Sequence, residues 1–133
     1  MRKSVTSVRV RYPEVDRMGV VHHTYFFVWF ELGRTELLRE LGCTYGEMEG
    51  RGIYLPVVEA ACRYRASARY DELLEIETTL EEIAASRVAF RYRLHRQGTE
   101  RPLAEGRTVH ATVNREGEVI RLPMEYRDLL SRP

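Results

Sequence analysis

Apolar and polar residues alternate over most of the chain, and one stretch breaks that alternation. Between Val5 and Tyr12, Val8, Val10 and Tyr12 share one side of an extended chain while Arg9 and Arg11 share the other, which predicts a strand. Pro13 ends it, and a loop runs through Gly19. From about His23 to Leu41 the period lengthens. Phe26, Phe30, Gly33, Leu37 and Leu41 fall on one helical face, and Gly42 sits where a left-handed C-terminal residue is usual. The two halves of this helix differ. "YFFVWF" is apolar all round, which predicts a first half enclosed by other structure with its N-terminus pointing into the protein; "ELGRTELLRE" keeps a charged side.

Alternation then returns. Val58, Ala60, Cys62 and Tyr64 oppose Glu59, Arg63 and Arg65; Leu74, Ile76, Thr78 and Leu80 oppose Glu75, Glu77 and Glu81. Val88, Phe90, Tyr92 and Leu94 oppose Arg87, Arg91, Arg93 and His95. "LAEGRTVHATVN" continues less cleanly, "NREGEV" reads as a hairpin turn into a short last strand, and "LPMEYRDLL" as a short helix begun at Pro123. Strand, long helix, then four or five strands predicts an α+β fold: one long helix on a curved antiparallel sheet of five to six strands, forming a single domain over residues 1–133. Such a sheet leaves edge strands open. Pairing across a twofold axis covers them, so a homodimer is expected.

Composition narrows the function. The chain has 21 Lys and Arg against 20 Asp and Glu, and Lys3 is its only lysine. A net charge of +1 argues against nucleic-acid binding, which needs a field of one sign. Cys43 and Cys62 are the only cysteines and lack CxxC spacing, so both are expected as reduced thiols. The N-terminus has no apolar signal region, and the longest apolar run, Tyr25 to Phe30, is too short to span a bilayer. No membrane partner and a cytoplasmic location are expected.

Candidate chemistry gathers in "DRMGVVHHTYFFVWFE", residues 16–31. Asp16 reads either as a solvated turn residue or as a carboxylate beside the amino end of a buried helix. There the helix dipole and free N–H groups would stabilise a developing oxyanion. Acyl transfer needs both parts, a nucleophile or base and preorganised donors; the pattern alone leaves the two readings open. His22 and His23 are adjacent, so their side chains are expected to diverge, and without a third ligand nearby no metal site is expected. His23 matters more for its backbone N–H, where the first unpaired donors of the helix lie. Glu31 has Arg34 and Thr35 at i+3 and i+4, which predicts an internal ion pair or hydrogen bond. Ser86 has no histidine–acid relay around it. The arginine rows read as solvated faces from which a few could grip a phosphorylated carrier.

Two stretches, "VRVRYPEVDRMGVVHHTYFFVWFELGRTELLRELG" and "VVEAACRYRASARYDELLEI", together resemble the 4-hydroxybenzoyl-CoA thioesterase-like branch of the hotdog-fold superfamily, which includes the YbgC-type acyl-CoA thioesterases. The resemblance covers about half the chain. It implies a helix wrapped by the sheet, dimers joined edge to edge, dimers pairing into a homotetramer, and active sites at the subunit interface. The implied activity is hydrolysis of short-chain or aromatic acyl-CoA, with no cofactor beyond the coenzyme A carried by the substrate. The family's catalytic carboxylate falls on Asp16, and its oxyanion donor on the backbone N–H of His23. Implied substrate contacts are Gly19, Val20, His22 and Tyr25; Tyr54, Val58 and Glu59 of the neighbouring subunit; and Ser86 and Arg87 for the coenzyme A phosphates. The chain departs from many members at Phe26, where they have Tyr, and at His22, where they have Tyr or Asn. Two further readings are an acyl-carrier-protein thioesterase and an acyl-CoA binder without turnover.

Overall fold

A computed structural model describes residues 3–132. The elements in chain order are β1 (Lys3–Arg9), α1 (Tyr25–Glu40), α2 (Tyr45–Gly50), β2 (Val57–Tyr64), β3 (Leu73–Ile83), β4 (Arg87–Arg96), β5 (Pro102–Ala111) and α3 (Met124–Leu130). The strands form one sheet in the order β1-β3-β4-β5-β2, with every neighbouring pair antiparallel.

Two glycines let α1 settle onto this sheet. A Cβ at Gly33 would overlap Thr78 Oγ1 and meet Ile76 Cγ2 at 2.9 Å, and one at Gly106 would overlap the Phe30 ring. Where they meet, Phe30 stacks on Tyr92 with ring centroids 4.4 Å apart. Trp29, Leu37 and Leu38 from α1 join Ile76, Leu80, Phe90 and Leu94 from β3 and β4 in the core. Burying each such side chain contributes about 1.5–3 kcal/mol. On the opposite face the charges pair across strands: Lys3 and Arg93 hold Glu77, and Arg91 and Arg107 hold Glu81.

Several expectations need correction. The sheet has five strands, within the expected five to six, but the short last strand is reduced to an isolated Val113–Val119 bridge, because the Leu122 N–H bonds Ala85 O and draws the chain toward α3. α1 begins at Tyr25 rather than His23. The N–H groups of Tyr25, Phe26 and Phe27 bond carbonyls three residues back, a tighter turn than the α-helix that follows. The first half of α1 is enclosed on one side only: Phe26, Trp29 and Phe30 are buried, while Val28, Leu32 and the approach from His22 to Thr24 are exposed. Helix α2 was not expected, although its signal was present. Thr44 caps it by accepting the Glu47 N–H at 3.2 Å, the spacing of an N-terminal cap. Gly42 has the positive φ expected of it, +93°.

Candidate active site

The loop before α1 is a small antiparallel turn. Glu14 O accepts the His22 N–H and Asp16 N–H reaches Val20 O, both at 2.9 Å. The turn closes through Gly19, whose φ of +77° favours a residue without a side chain. Asp16 is fixed inside it. Its Oδ1 accepts the backbone N–H of Met18 at 2.8 Å and of Val20 at 3.2 Å, an arrangement aspartate side chains favour in turns. The carboxylate remains exposed. Val21 N–H bonds Ala68 O at 2.9 Å, clamping the loop to the corner between β2 and β3.

At the end of that turn, His22 and His23 do not diverge as expected. Their rings stack with centroids 4.5 Å apart, because both lie in the turn ahead of α1 and His22 Nδ1 is held by Thr24 Oγ1 at 2.8 Å. The His23 N–H has no acceptor among the described residues. The His23 carbonyl has two donors, the Phe26 N–H at 3.2 Å and the Tyr64 hydroxyl at 2.8 Å. Tyr64 comes from the end of β2, its ring 4.9 Å from that of Phe26. Desolvation pushes its phenol up to about 12, so it stays a donor at neutral pH. Val20, His23, Phe26 and Tyr64 line a cleft of about 370 Å³. Asp16 lies beside this cleft rather than on its wall.

The remaining predicted residues lie elsewhere in one chain. Tyr25 is half-buried in the first turn of α1, and Val58 and Glu59 are exposed on β2. Tyr54 exchanges backbone bonds with Val113 at 2.9 and 3.0 Å, and lines a separate cavity of about 650 Å³ with Glu31, Arg34 and Tyr45. Ser86 accepts the Thr112 N–H through its carbonyl at 3.1 Å. Arg87 is forked onto Glu82 Oε1 at 2.7 and 3.1 Å. Strand register separates the groups: Val57 and Val88 both pair with His110, whereas Tyr64 and Leu94 both pair with Ala104. Tyr54, Val58, Glu59, Ser86 and Arg87 therefore sit at one end of the sheet. His23, held by Tyr64, sits at the other.

Glu31 and Arg34 do not pair. Arg34 turns inward and donates to the Tyr45 hydroxyl at 3.2 Å and the Tyr92 hydroxyl at 3.4 Å. The network continues from Tyr92 Oη to Thr108 Oγ1 at 2.5 Å, to His110 Nε2 at 2.9 Å, and from His110 Nδ1 to Leu55 O at 3.0 Å. Desolvation pushes His110 down to about 4, so its ring is neutral at neutral pH. Among the described residues no three His, Cys, Asp or Glu side chains converge as metal ligands, and no helix is long and apolar enough to cross a membrane.

The sequence profile of the thioesterase-like superfamily matches residues 10–130. The chain is 37% identical over 90 residues to the acyl-CoA thioesterase YbgC of Haemophilus influenzae, covering 67% of this chain and 66% of that protein. Among solved structures it is similar to the Thermus thermophilus hypothetical protein TT1821, with 40% identity, a TM-score of 0.90, and 98% and 96% of the two chains covered. It is also similar to the DHNA-CoA thioesterase of Staphylococcus aureus, with 29% identity, a TM-score of 0.92, and 98% and 90% covered. The fold shared with these structures is the hotdog arrangement, one long helix set against an antiparallel sheet.

Proposed function

The chain belongs to the thioesterase-like superfamily, and on that premise we propose that it hydrolyses short-chain or aromatic acyl-coenzyme A thioesters at the start of α1. The observation that carries this reading is the pairing of a fixed acid with a free donor. Asp16 is oriented by two backbone N–H bonds on one oxygen, and a few residues on the His23 N–H has no acceptor among the described residues. In the proposed reaction the thioester carbonyl oxygen rests on that N–H, which with the positive end of α1 stabilises the tetrahedral oxyanion. One such donor is typically worth about 3–4 kcal/mol. Asp16 either attacks the carbonyl carbon, expelling the coenzyme A thiolate and leaving a mixed anhydride for water to cleave, or takes a proton from an attacking water. Label recovered in Asp16 after a single turnover in ¹⁸O-water identifies the anhydride route, because water that opens the anhydride at the Asp16 carbonyl leaves its oxygen there.

The reading includes a dimer. Of the β2 residues only Cys62 is even partly covered, so the strand offers an open edge. Antiparallel pairing of β2 with its copy lays the Val57 end of one chain beside the Tyr64 end of the other. That brings Tyr54, Val58, Glu59, Ser86 and Arg87 of one copy toward Gly19, Val20, His22, His23 and Tyr25 of the second, and covers the exposed Val28 and Leu32. Further pairing of dimers gives the tetramer. The decisive experiment is Asp16→Asn, assayed over short, long and aromatic acyl-CoAs. We expect kcat to fall by about 10²–10⁴, the range of a lost acid–base group, with the thermal midpoint unchanged. Retained turnover in that variant refutes the assignment of Asp16.

A further inference from the structure

Coenzyme A carries its negative charge on a diphosphate and a 3′-phosphate, so the proposed substrate needs a positive surface near the cleft at His23. Most arginines of the sheet are committed. Arg87 holds Glu82, Arg91 and Arg107 hold Glu81, and Arg93 holds Glu77. A second cleft, of about 890 Å³, lies between the end of β2 and the hairpin joining β4 to β5, lined by Arg63, Tyr64, Arg65, Arg96, Arg101 and Glu105 among others. Four guanidinium groups here face one carboxylate. Arg96 is engaged by Glu72 and Ser67 O, and Arg65 reaches Glu105 at 3.4 Å. Arg63 and Arg101 make no ion pair among the described residues, so positive charge is left unbalanced in this cleft on a chain whose net charge is only +1.

Position strengthens the point. This cleft shares Tyr64, Arg65 and Ala66 with the smaller one at His23, so the two adjoin at the end of β2. We propose that Arg63 and Arg101 form the anchor for the phosphates of coenzyme A, with the pantetheine arm running past Tyr64 to the His23 N–H. The inference rests on the thioesterase reading and adds to it the place where the nucleotide end is held. Arginine suits the task, because its planar fork matches two phosphate oxygens at once and its charge does not titrate. Arg87, already forked onto Glu82, is left as a neighbour of the substrate and not its charge anchor.

The test is calorimetric titration of coenzyme A and 3′-dephospho-coenzyme A into the wild-type protein, the double variant R63Q/R101Q, and the charge-matched control R121Q/R132Q. Both control positions are exposed and outside the cleft. The expected result is a Kd for coenzyme A raised about tenfold or more in R63Q/R101Q and unmoved in the control, since one lost phosphate contact is worth roughly a factor of ten. Removing the 3′-phosphate should then weaken binding to wild type more than to R63Q/R101Q. Equal Kd values in wild type and R63Q/R101Q, with both proteins binding coenzyme A, overturn the arginine anchor and leave the thioesterase reading intact. A wild-type protein that binds neither coenzyme A nor 3′-dephospho-coenzyme A overturns both.

Discussion

Strands β3 and β4 and strand β2 belong to one sheet yet are built on opposite terms. Along β3 and β4 the inward Leu74, Ile76, Leu80, Val88, Phe90, Tyr92 and Leu94 are buried, and the outward Arg87, Arg91 and Arg93 each hold a glutamate. Along β2 both faces are exposed at almost every residue, and Arg63 pairs with no acid among the described residues. The centre has satisfied its packing and its charge, and holds the fold. The edge has satisfied neither, and is therefore where the proposed reading puts the second copy, the oxyanion site and the substrate's phosphates.

This contrast can be broken from the edge inward. Ala60→Glu on β2 puts a carboxylate near the middle of the proposed twofold contact, where it faces its own copy. We expect the assembly to fall to single chains by light scattering and turnover to drop at least about 100-fold, because the two halves of each site part. Unchanged mass and activity would show that β2 is not the joint. At the centre, Gly33→Ala forces a Cβ against Thr78 and Ile76. Overpacking of this kind costs about 1–3 kcal/mol, read as a lower denaturant midpoint with the assembly state unaltered.

Smaller effects sharpen the contrast. Tyr64→Phe removes the hydroxyl that fixes the His23 carbonyl. Losing about 1 kcal/mol of orientation should lower kcat about fivefold with KM and the thermal midpoint nearly constant, whereas a purely structural role would lower the midpoint instead. The last test reads a pH slope. His110 protonates at about 4 when buried against an ordinary 6.5, so the unfolded chain takes up the proton first and stability is lost as pH falls from about 6.5 to 4. His110→Gln should flatten that part of the curve of thermal midpoint against pH, and an unchanged slope would show that His110 is already solvated.

The sequence made the centre legible and the edge much less so. Leu74, Ile76 and Leu80 alternate with Glu75, Glu77 and Glu81, and a period of two states a half-buried strand without help from any distant residue. Gly42 and the helix after Pro123 were legible for the same reason: their causes are local. The start of α1 was misplaced because three short-range bonds, from Tyr25, Phe26 and Phe27, tighten a segment whose apolar pattern looks the same in either geometry. Arg34 looked like a surface partner for Glu31 because i+3 spacing is visible, while its actual acceptor on Tyr92 is 58 residues away. Tyr64 read as one inward strand residue among four. Its bond to His23 spans 41 residues, and no pattern along the chain encodes that. The arginine cleft was hidden likewise, since Arg63 and Arg101 meet only once β2 and β5 pair.

The grip on Asp16 comes from the main chain alone, through the amides of residues 18 and 20. Any amino acid but proline offers the same amide, so the exposed Met18 and half-buried Val20 can be exchanged without loosening the acid. On the proposed reading, the wall of the cleft at Val20 is thus free to drift in shape and polarity while the acid stays fixed, which gives this scaffold a direct route to new acyl groups.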